Sequence, residues 1–137
     1  MAKESGIGLT VTVDDSGGTG QAITNDITNV SWQMPSAVQD VTGLDKAGHE
    51  RLLLLADFSI TMNGVFNDAA NKSHAVLKNY RTLAANQVGR TVAIAHSGQS
   101  LSVEVLIANY DWNRGADGSA VWQSGGSLAD GNVPLWS

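Results

Sequence analysis

Asp57-Phe58-Ser59-Ile60-Thr61-Met62-Asn63-Gly64-Val65-Phe66-Asn67-Asp68 is the stretch whose reading decides the fold. Phe58, Ile60 and Met62 alternate with Ser59, Thr61 and Asn63. Successive side chains of a strand point to opposite faces, so a period of two describes a β-strand with one buried and one polar face. Leu52 to Phe66 as a whole reads as one long strand or two merged ones. The same alternation runs through Leu9-Thr10-Val11-Thr12-Val13, closed by the turn residues Asp14-Asp15-Ser16-Gly17-Gly18. It returns in Val30-Ser31-Trp32-Gln33-Met34, ended by Pro35, which has no N–H to give a ladder. Between these two, Ala22 to Asn29 predicts a short helical turn.

Beyond Asp68 the period changes. Val76, Leu77, Tyr80, Leu83 and Ala84 form one apolar stripe at helical spacing, which predicts a helix over 71–85, capped by Asn71 or Ser73 and ended by Asn86 in a left-handed conformation. Thr91 to Ala95 predicts a strand, and His96-Ser97-Gly98-Gln99 turns it into a longer one in which Leu101, Val103, Val105 and Ile107 share a face. A turn over 113–118 leads to a last strand over 119–123. From Ser124-Gly125-Gly126-Ser127 onward the composition predicts a flexible tail, 124–137, with Leu135 and Trp136 placed to dock at its end. The expected architecture is mainly β: a β-sandwich or barrel-like sheet, one packed α-helix and a long loop or hairpin arm, in a single domain spanning 1–137.

Composition narrows the function classes. The chain has 137 residues, 8 Lys and Arg against 13 Asp and Glu, and a formal charge of −5, which argues against a surface built to grip phosphate. With no cysteine, disulfides, thiolate metal sites and cysteine nucleophiles are ruled out. The amino-terminal residues lack an apolar core of signal-peptide length, and the longest apolar run, Leu52 to Ala56, is too short to cross a bilayer, so neither export by such a signal nor membrane spanning is expected. Only 15% of the residues are charged, against about 25% in an ordinary soluble domain. A surface this poor in charge suggests that much of it is covered by other chains.

Catalytic patterns fail one by one. His49-Glu50-Arg51-Leu52-Leu53 begins like a zinc-protease helix but has leucine where the second histidine ligand must stand. His49, His74 and His96 fall in a loop, a helix start and a turn, too scattered for metal-ligand spacing. The Asp14 to Gly20 run lacks both the spaced carboxylates of a calcium loop and the Gly-Lys-Ser/Thr of a phosphate loop. No Gly-x-Ser-x-Gly elbow occurs. The acid pairs Asp111 with Asp117, and Asp40 with Asp45, read as solvated loop carboxylates. No enzyme, metal or cofactor is expected. Two rivals stay open: a carbohydrate-binding β-sandwich using Trp112 or Trp136 as a stacking platform, and a small hydrolase using Asp111, Asp117 and His96.

The polar strand faces point to assembly instead. Thr10, Thr12, Ser31, Gln33, Ser59, Thr61, Asn63 and Ser102 are uncharged, Glu104 being the main exception. Monomeric sheets guard their edges with charge, so strands of this kind are free to pair between subunits. Charge of both signs collects in Asp40, Asp45, Lys46, Glu50, Arg51 and Asp57, within an irregular segment, 35–57, that suits an arm reaching a neighbour. These residues, with Leu53 and Trp136, are the expected subunit interface.

The run from Asp57 to Asp68, followed by Ser73-His74-Ala75-Val76-Leu77, resembles the tail tube (major tail) proteins of long-tailed bacteriophages. Leu9 to Val13, Asp26-Ile27-Thr28-Asn29-Val30 and Val41-Thr42-Gly43-Leu44 are similar to that family in order and spacing, so that the resemblance covers 9–110 and leaves 112–137 unmatched. It implies a virion subunit, assembled in the host cytoplasm, that forms hexameric rings stacked into a hollow tube. Its implied partners are copies of itself and other tail proteins such as tape measure and terminator; DNA passes through as cargo on ejection, without specific binding or a membrane. A tube protein of a contractile injection or type VI secretion system is the structural alternative. Six copies of −5 give −30 per ring, which would repel phosphate where it faces the bore.

Overall fold

A computed structural model of the protein describes residues 3–137. In chain order the strands are β1 (Thr10–Asp14), β2 (Gly20–Ala22), β3 (Ile27–Gln33), β4 (Ser36–Asp40), β5 (Arg51–Ala56), β6 (Ser59–Val65), β7 (Arg90–His96), β8 (Gln99–Arg114) and β9 (Ala120–Leu128). A single helical turn, Thr24–Asp26, precedes β3, and the α-helix α1 (Ser73–Leu77) lies between β6 and β7. Seven strands form one antiparallel sheet in the order β2-β1-β7-β8-β9-β6-β3, and β4 and β5 form a separate two-stranded ribbon.

The long strand β8 divides this sheet into two layers. Its first half, Gln99 to Val105, pairs with β7, and its second half, Val105 to Arg114, pairs with β9, so that Val105 alone stands opposite both neighbours. A bulge between Ile107 and Asn109 lies just beyond the switch, where an extra residue bends a strand and increases its twist. The inner faces of β2-β1-β7-β8 and β8-β9-β6-β3 share one core: Val11, Val13, Ile60, Met62, Val92, Ile94, Leu101, Val105 and Trp122, with Phe58 and with Val76 and Leu77 of α1. The mainly β, sandwich-like architecture with one helix is the one that the alternation predicts.

Three local expectations need correction. The helix covers five residues, not fifteen. The cause is Arg90, whose side chain is 1% exposed and donates to the carbonyls of Val76, Asn79 (2.6 Å) and Thr82 (3.0 Å). Once Arg90 takes the Val76 carbonyl, the Tyr80 N–H turns to Leu77 at 3.1 Å, and the chain continues as turns. Burial pulls the Arg90 pKa down from the usual arginine value, while the Asp15 and Asp14 carboxylates oppose that shift. Second, neither Asn71 nor Ser73 caps the helix through its side chain; the residue before it is Lys72, and the Ser73 N–H donates instead to the buried Asp26 carboxylate at 3.0 Å. Asn67 Nδ2 holds the other oxygen of Asp26 at 3.0 Å, tying the β2–β3 connection to the helix start. Asn86 does adopt the expected left-handed conformation, φ 66°, beyond the helix.

The third correction concerns the carboxyl-terminal segment. Ser124 to Leu128 is no tail but the second half of β9, paired on one side with β6 and on the other with β8. Small residues are needed there because the neighbouring strands come close: a Cβ on Gly126 would stand 3.0 Å from the Leu106 carbonyl oxygen. The chain end is also anchored. Ser137 and Ser100 exchange backbone hydrogen bonds of 3.0 and 2.9 Å, and Trp136 packs on Trp32 with ring centroids 6.2 Å apart.

The most crowded glycine is Gly64 of β6. Trp122, 2% exposed, donates its Nε1–H to the Val65 carbonyl at 2.8 Å and lies across Gly64. A Cβ on Gly64 would fall 2.2 Å from the Asp26 carbonyl oxygen and 2.6 Å from the Trp122 ring. Gly64→Ala is therefore expected to destabilise the fold by about 2–3 kcal/mol, within the range for overpacked cores; a chemical denaturation curve that overlays the parent's is the opposing result. Arg90→Met, which takes this donor from the carbonyls of Asp14, Val76, Asn79 and Thr82, is expected to cost roughly 3 kcal/mol, and hydrogen exchange in 78–89 should accelerate before that of the sheet.

Candidate assembly surfaces

Two features of the molecule are incomplete within one chain: the ribbon and the edges of the four-stranded layer. The ribbon starts at Pro35, whose carbonyl accepts the Asp57 N–H at 2.9 Å, and Asp57 Oδ1 in turn accepts the Phe58 N–H at 2.8 Å. These bonds close the base of a hairpin that spans the segment expected to be an arm. Of the loop or hairpin expected over 35–57 the structure has the hairpin: β4 runs against β5 with Val38 opposite Leu53, Gln39 opposite Leu52 and Asp40 opposite Arg51. A one-residue bulge in β5 lies between the Ser36 and Val38 pairs.

The ribbon has no core. Every residue of β4 is exposed, as are Arg51 to Leu55 of β5. Leu53 is 75% exposed and Leu55 89%, while Leu52 and Leu54, on the alternate positions, are 52% and 45% exposed. Alternation should place apolar side chains on one face, but this strand carries leucine on both. At about 25 cal/mol per Å² of apolar area, such exposure has a strong drive to be covered.

Polar contacts order the hairpin's far end. Asp40 accepts hydrogen bonds from the Thr42 hydroxyl and, at 3.0 Å, from the Thr42 N–H, and its other oxygen lies 2.8 Å from His49 Nδ1. The Thr42 contacts, then His49, hold the Asp40 carboxyl below the usual aspartate range. Thr42 Oγ1 also receives the Glu50 N–H at 2.9 Å, and Lys46 Nζ lies 3.8 Å from Glu50 Oε1. The structure thus brings Asp40, Asp45, Lys46, Glu50, Arg51, Leu53 and Asp57 into one hairpin, all exposed. Trp136 is not among them; it stands against Trp32 of β3, 44% exposed.

The second feature is the layer β8-β9-β6-β3. Among the described residues β3 pairs only with β6, so its outer edge carries no partner strand. At the other side, β7 follows β8 only as far as Val105, leaving the outer edge of 106–114 without one. Sequence reading missed this because strand alternation does not say which strands end a sheet. Beside that edge is an aromatic group. Trp112, 55% exposed, has its ring 4.5 Å from Phe66 and 5.5 Å from His74, and His74 Nδ1 lies 3.1 Å from the Tyr110 hydroxyl. Burial raises the Tyr110 pKa above that of a free tyrosine.

The residues suggested for a hydrolase are placed on separate elements: His96 ends β7, Asp111 is in the second half of β8, and Asp117 lies in the β8–β9 turn, where the Ser119 N–H lowers its pKa. Among the described residues no three His, Asp or Glu side chains gather as a metal site would require. Among the described residues no helix is long and apolar enough to cross a membrane.

No protein-family model matches the chain, and no curated protein does. Solved structures do match. A chain in the virion of a native gene transfer agent particle aligns with a TM-score of 0.72 and 18% identity, covering 98% of this chain and 99% of that one. A chain in the tail of an empty gene transfer agent particle, determined with C6 symmetry, aligns with a TM-score of 0.73 and 19% identity over the same shares. At this level of identity the likeness is one of fold, and it extends over the two layers and the ribbon together.

Proposed function

We propose that this chain is the tube subunit of a phage-like tail, six copies closing a ring and rings stacking into a conduit for DNA. The observation that carries the reading is the four-stranded layer with two unpaired edges. Its strands alternate in direction from β3 to β8, so β3 and the second half of β8 run oppositely. Set beside β3 of a neighbouring copy, the 106–114 edge meets an antiparallel partner, and an even number of strands lets the pattern repeat from subunit to subunit. Such a contact is head-to-tail, and head-to-tail contacts close into rings when the rotation allows. The tail that holds a chain of the same fold was determined with C6 symmetry, which supports six copies to the ring.

Six four-stranded layers give 24 strands. At about 4.8 Å spacing and roughly 40° tilt, they close at about 45–50 Å across the backbone, leaving a bore wide enough for duplex DNA. The hairpin then serves as the arm between subunits and between rings. Its two leucine-bearing faces explain why it needs more than one surface, and the charged residues near its far end fix register where leucines alone would slide. The tail of a virion, built in the host cytoplasm, is the location this implies. A tape measure within the bore and a terminator at its end are the further partners of such a conduit.

Electron microscopy of the concentrated protein, and of the particle containing it, tests the reading: rings or tubes of sixfold symmetry are expected. A particle whose tubular part lacks this chain overturns it. The arm makes a separate claim. Leu53→Asp and Leu55→Asp change exposed positions, so the subunit's own stability should move by no more than about 0.5 kcal/mol. Tube formation should be lost, with the protein remaining a monomer in sedimentation; tubes of normal length from either variant would show that the arm is dispensable.

A further inference from the structure

The tube reading fixes which face of the four-stranded layer can look into the bore, and that face has an unusual chemistry. One face carries Ile60, Met62, Ile107 and Trp122 and is packed beneath α1 and the other layer. It cannot line a channel. The opposite face follows from the register: Ser31 stands opposite Thr61, Thr61 opposite Gly125, Asn63 opposite Gln123, and Gln123 opposite Asp111. Paired residues in an antiparallel ladder point to the same side, so hydroxyl and amide groups run across the layer, interrupted by the exposed aliphatic side chains Val65, Leu106 and Val121 that the same register places on this side.

Charge is nearly absent from it. The only Asp, Glu, Lys or Arg residues in β3, β6, β9 and 106–114 are Asp111 and Arg114. Arg114 alternates with Asp111 and Asn113 in such a way that it falls on the side of Trp112 and Trp122. Asp111 is therefore the one charged side chain on the outward face, and Asn109 Nδ2 donates to it at 2.6 Å.

We infer that this hydroxyl- and amide-covered face lines the bore, that it offers duplex nucleic acid no cation at all, and that one ring of six Asp111 carboxylates is its only formal charge. The inference rests on the tube reading. Its consequence is a different account of passage from a bore dense in acidic groups. Affinity for a duplex comes mainly from lysine and arginine neutralising phosphates and releasing counterions. A wall mainly of hydroxyls and amides, with Val65, Leu106 and Val121 among them, has no cation to exchange for those counterions, so a duplex slides without being held. The single carboxylate ring adds repulsion at one level of each subunit ring.

The native chain has no cysteine, so single cysteines report their own environment. Gln123→Cys marks the proposed bore, and Lys78→Cys, at the exposed residue after α1, marks the outside. In the unassembled subunit both should react with a small maleimide and with a maleimide on a long polyethylene glycol chain. In assembled tubes Gln123→Cys should keep its reaction with the small reagent and lose that with the large one by at least about tenfold, whereas Lys78→Cys should keep both. Gln123→Cys tubes that react freely with the large reagent place this face outside. Protection from both reagents, or loss of assembly confined to that variant, places it against another copy, and either result overturns the inference while leaving the tube intact. Failure of the parent chain to form tubes fails the underlying reading instead.

Charge is tested on the same tubes. Gln123→Lys and Asp111→Lys tubes should retain linear duplex DNA at low salt about tenfold or more above the parent and release it as salt rises. Retention by the parent, or no gain in either variant, overturns the claim about the wall.

Discussion

The structure depends on one strand belonging to two layers. β8 is sixteen residues long, roughly twice what either layer needs, and changes neighbour at Val105. Its apolar positions before the switch, Leu101 and Val103, face the same core as Ile107 beyond it. The bulge after Ile107 shifts the alternation by one residue, so that Tyr110 and Trp112 come to stand opposite Ser124 and Trp122. Without that shift Asp111 would be turned toward Trp122 and Trp112 toward the polar face. A single inserted residue thus sets both the core and the chemistry of the opposite surface.

Because β8 leaves β7 at Val105, the edge of its second half is bare, and the same bend that closes the core leaves that edge unpaired. Closure of the core and the bare edge have a common cause. The ribbon is the complementary case. It takes its hydrogen bonds from itself and buries almost none of its apolar side chains, and an isolated two-stranded hairpin is marginal in water. The bonds at its base through Asp57 and Pro35, and those around Asp40 and Thr42, hold its shape without a core. Its leucines remain available for intermolecular contact, where each exposed side chain contributes most.

Much of this could be read from the chain, and the misses have physical causes. Alternation at Leu9 to Val13, Val30 to Met34 and Phe58 to Met62 located β1, β3 and β6, because each buries one face. It could not find β4, in which Ser36-Ala37-Val38-Gln39-Asp40 buries nothing and so shows no alternation to see. The helix was overextended because its apolar stripe is real, with Val76 and Leu77 fully buried and Tyr80 and Leu83 partly so; what stops it is an arginine reached only through tertiary folding. Ser124-Gly125-Gly126-Ser127 looked like a linker by composition. In the sheet those residues lie between two strands whose backbones crowd them, and the same small residues serve close packing instead of freedom. For the candidate site, the charged hairpin was legible as a cluster, but Trp136 was grouped with it only by its position at a chain end, and the fold sets it against β3.

The scarcity of charge that first suggested a covered surface turns out to be distributed with purpose. Glu104 lies on the layer that does not offer the two bare edges, its carboxylate taken by the Thr91 hydroxyl. Asp14 and Asp15 oppose the burial shift of Arg90, and Asp26 caps α1. Asp40, Lys46, Glu50 and Arg51 cluster toward the far end of the hairpin. What these placements leave is a four-stranded wall with no lysine and one aspartate on its polar side. An edge strand that must stay monomeric is normally given a lysine to make intermolecular pairing costly. Here neither β3 nor the bare half of β8 carries a lysine, and the one cation, Arg114, sits at the last position of its strand. The absence of that safeguard on both edges of one layer, in a sheet whose strand directions already match across them, leaves both edges free to pair with a further strand.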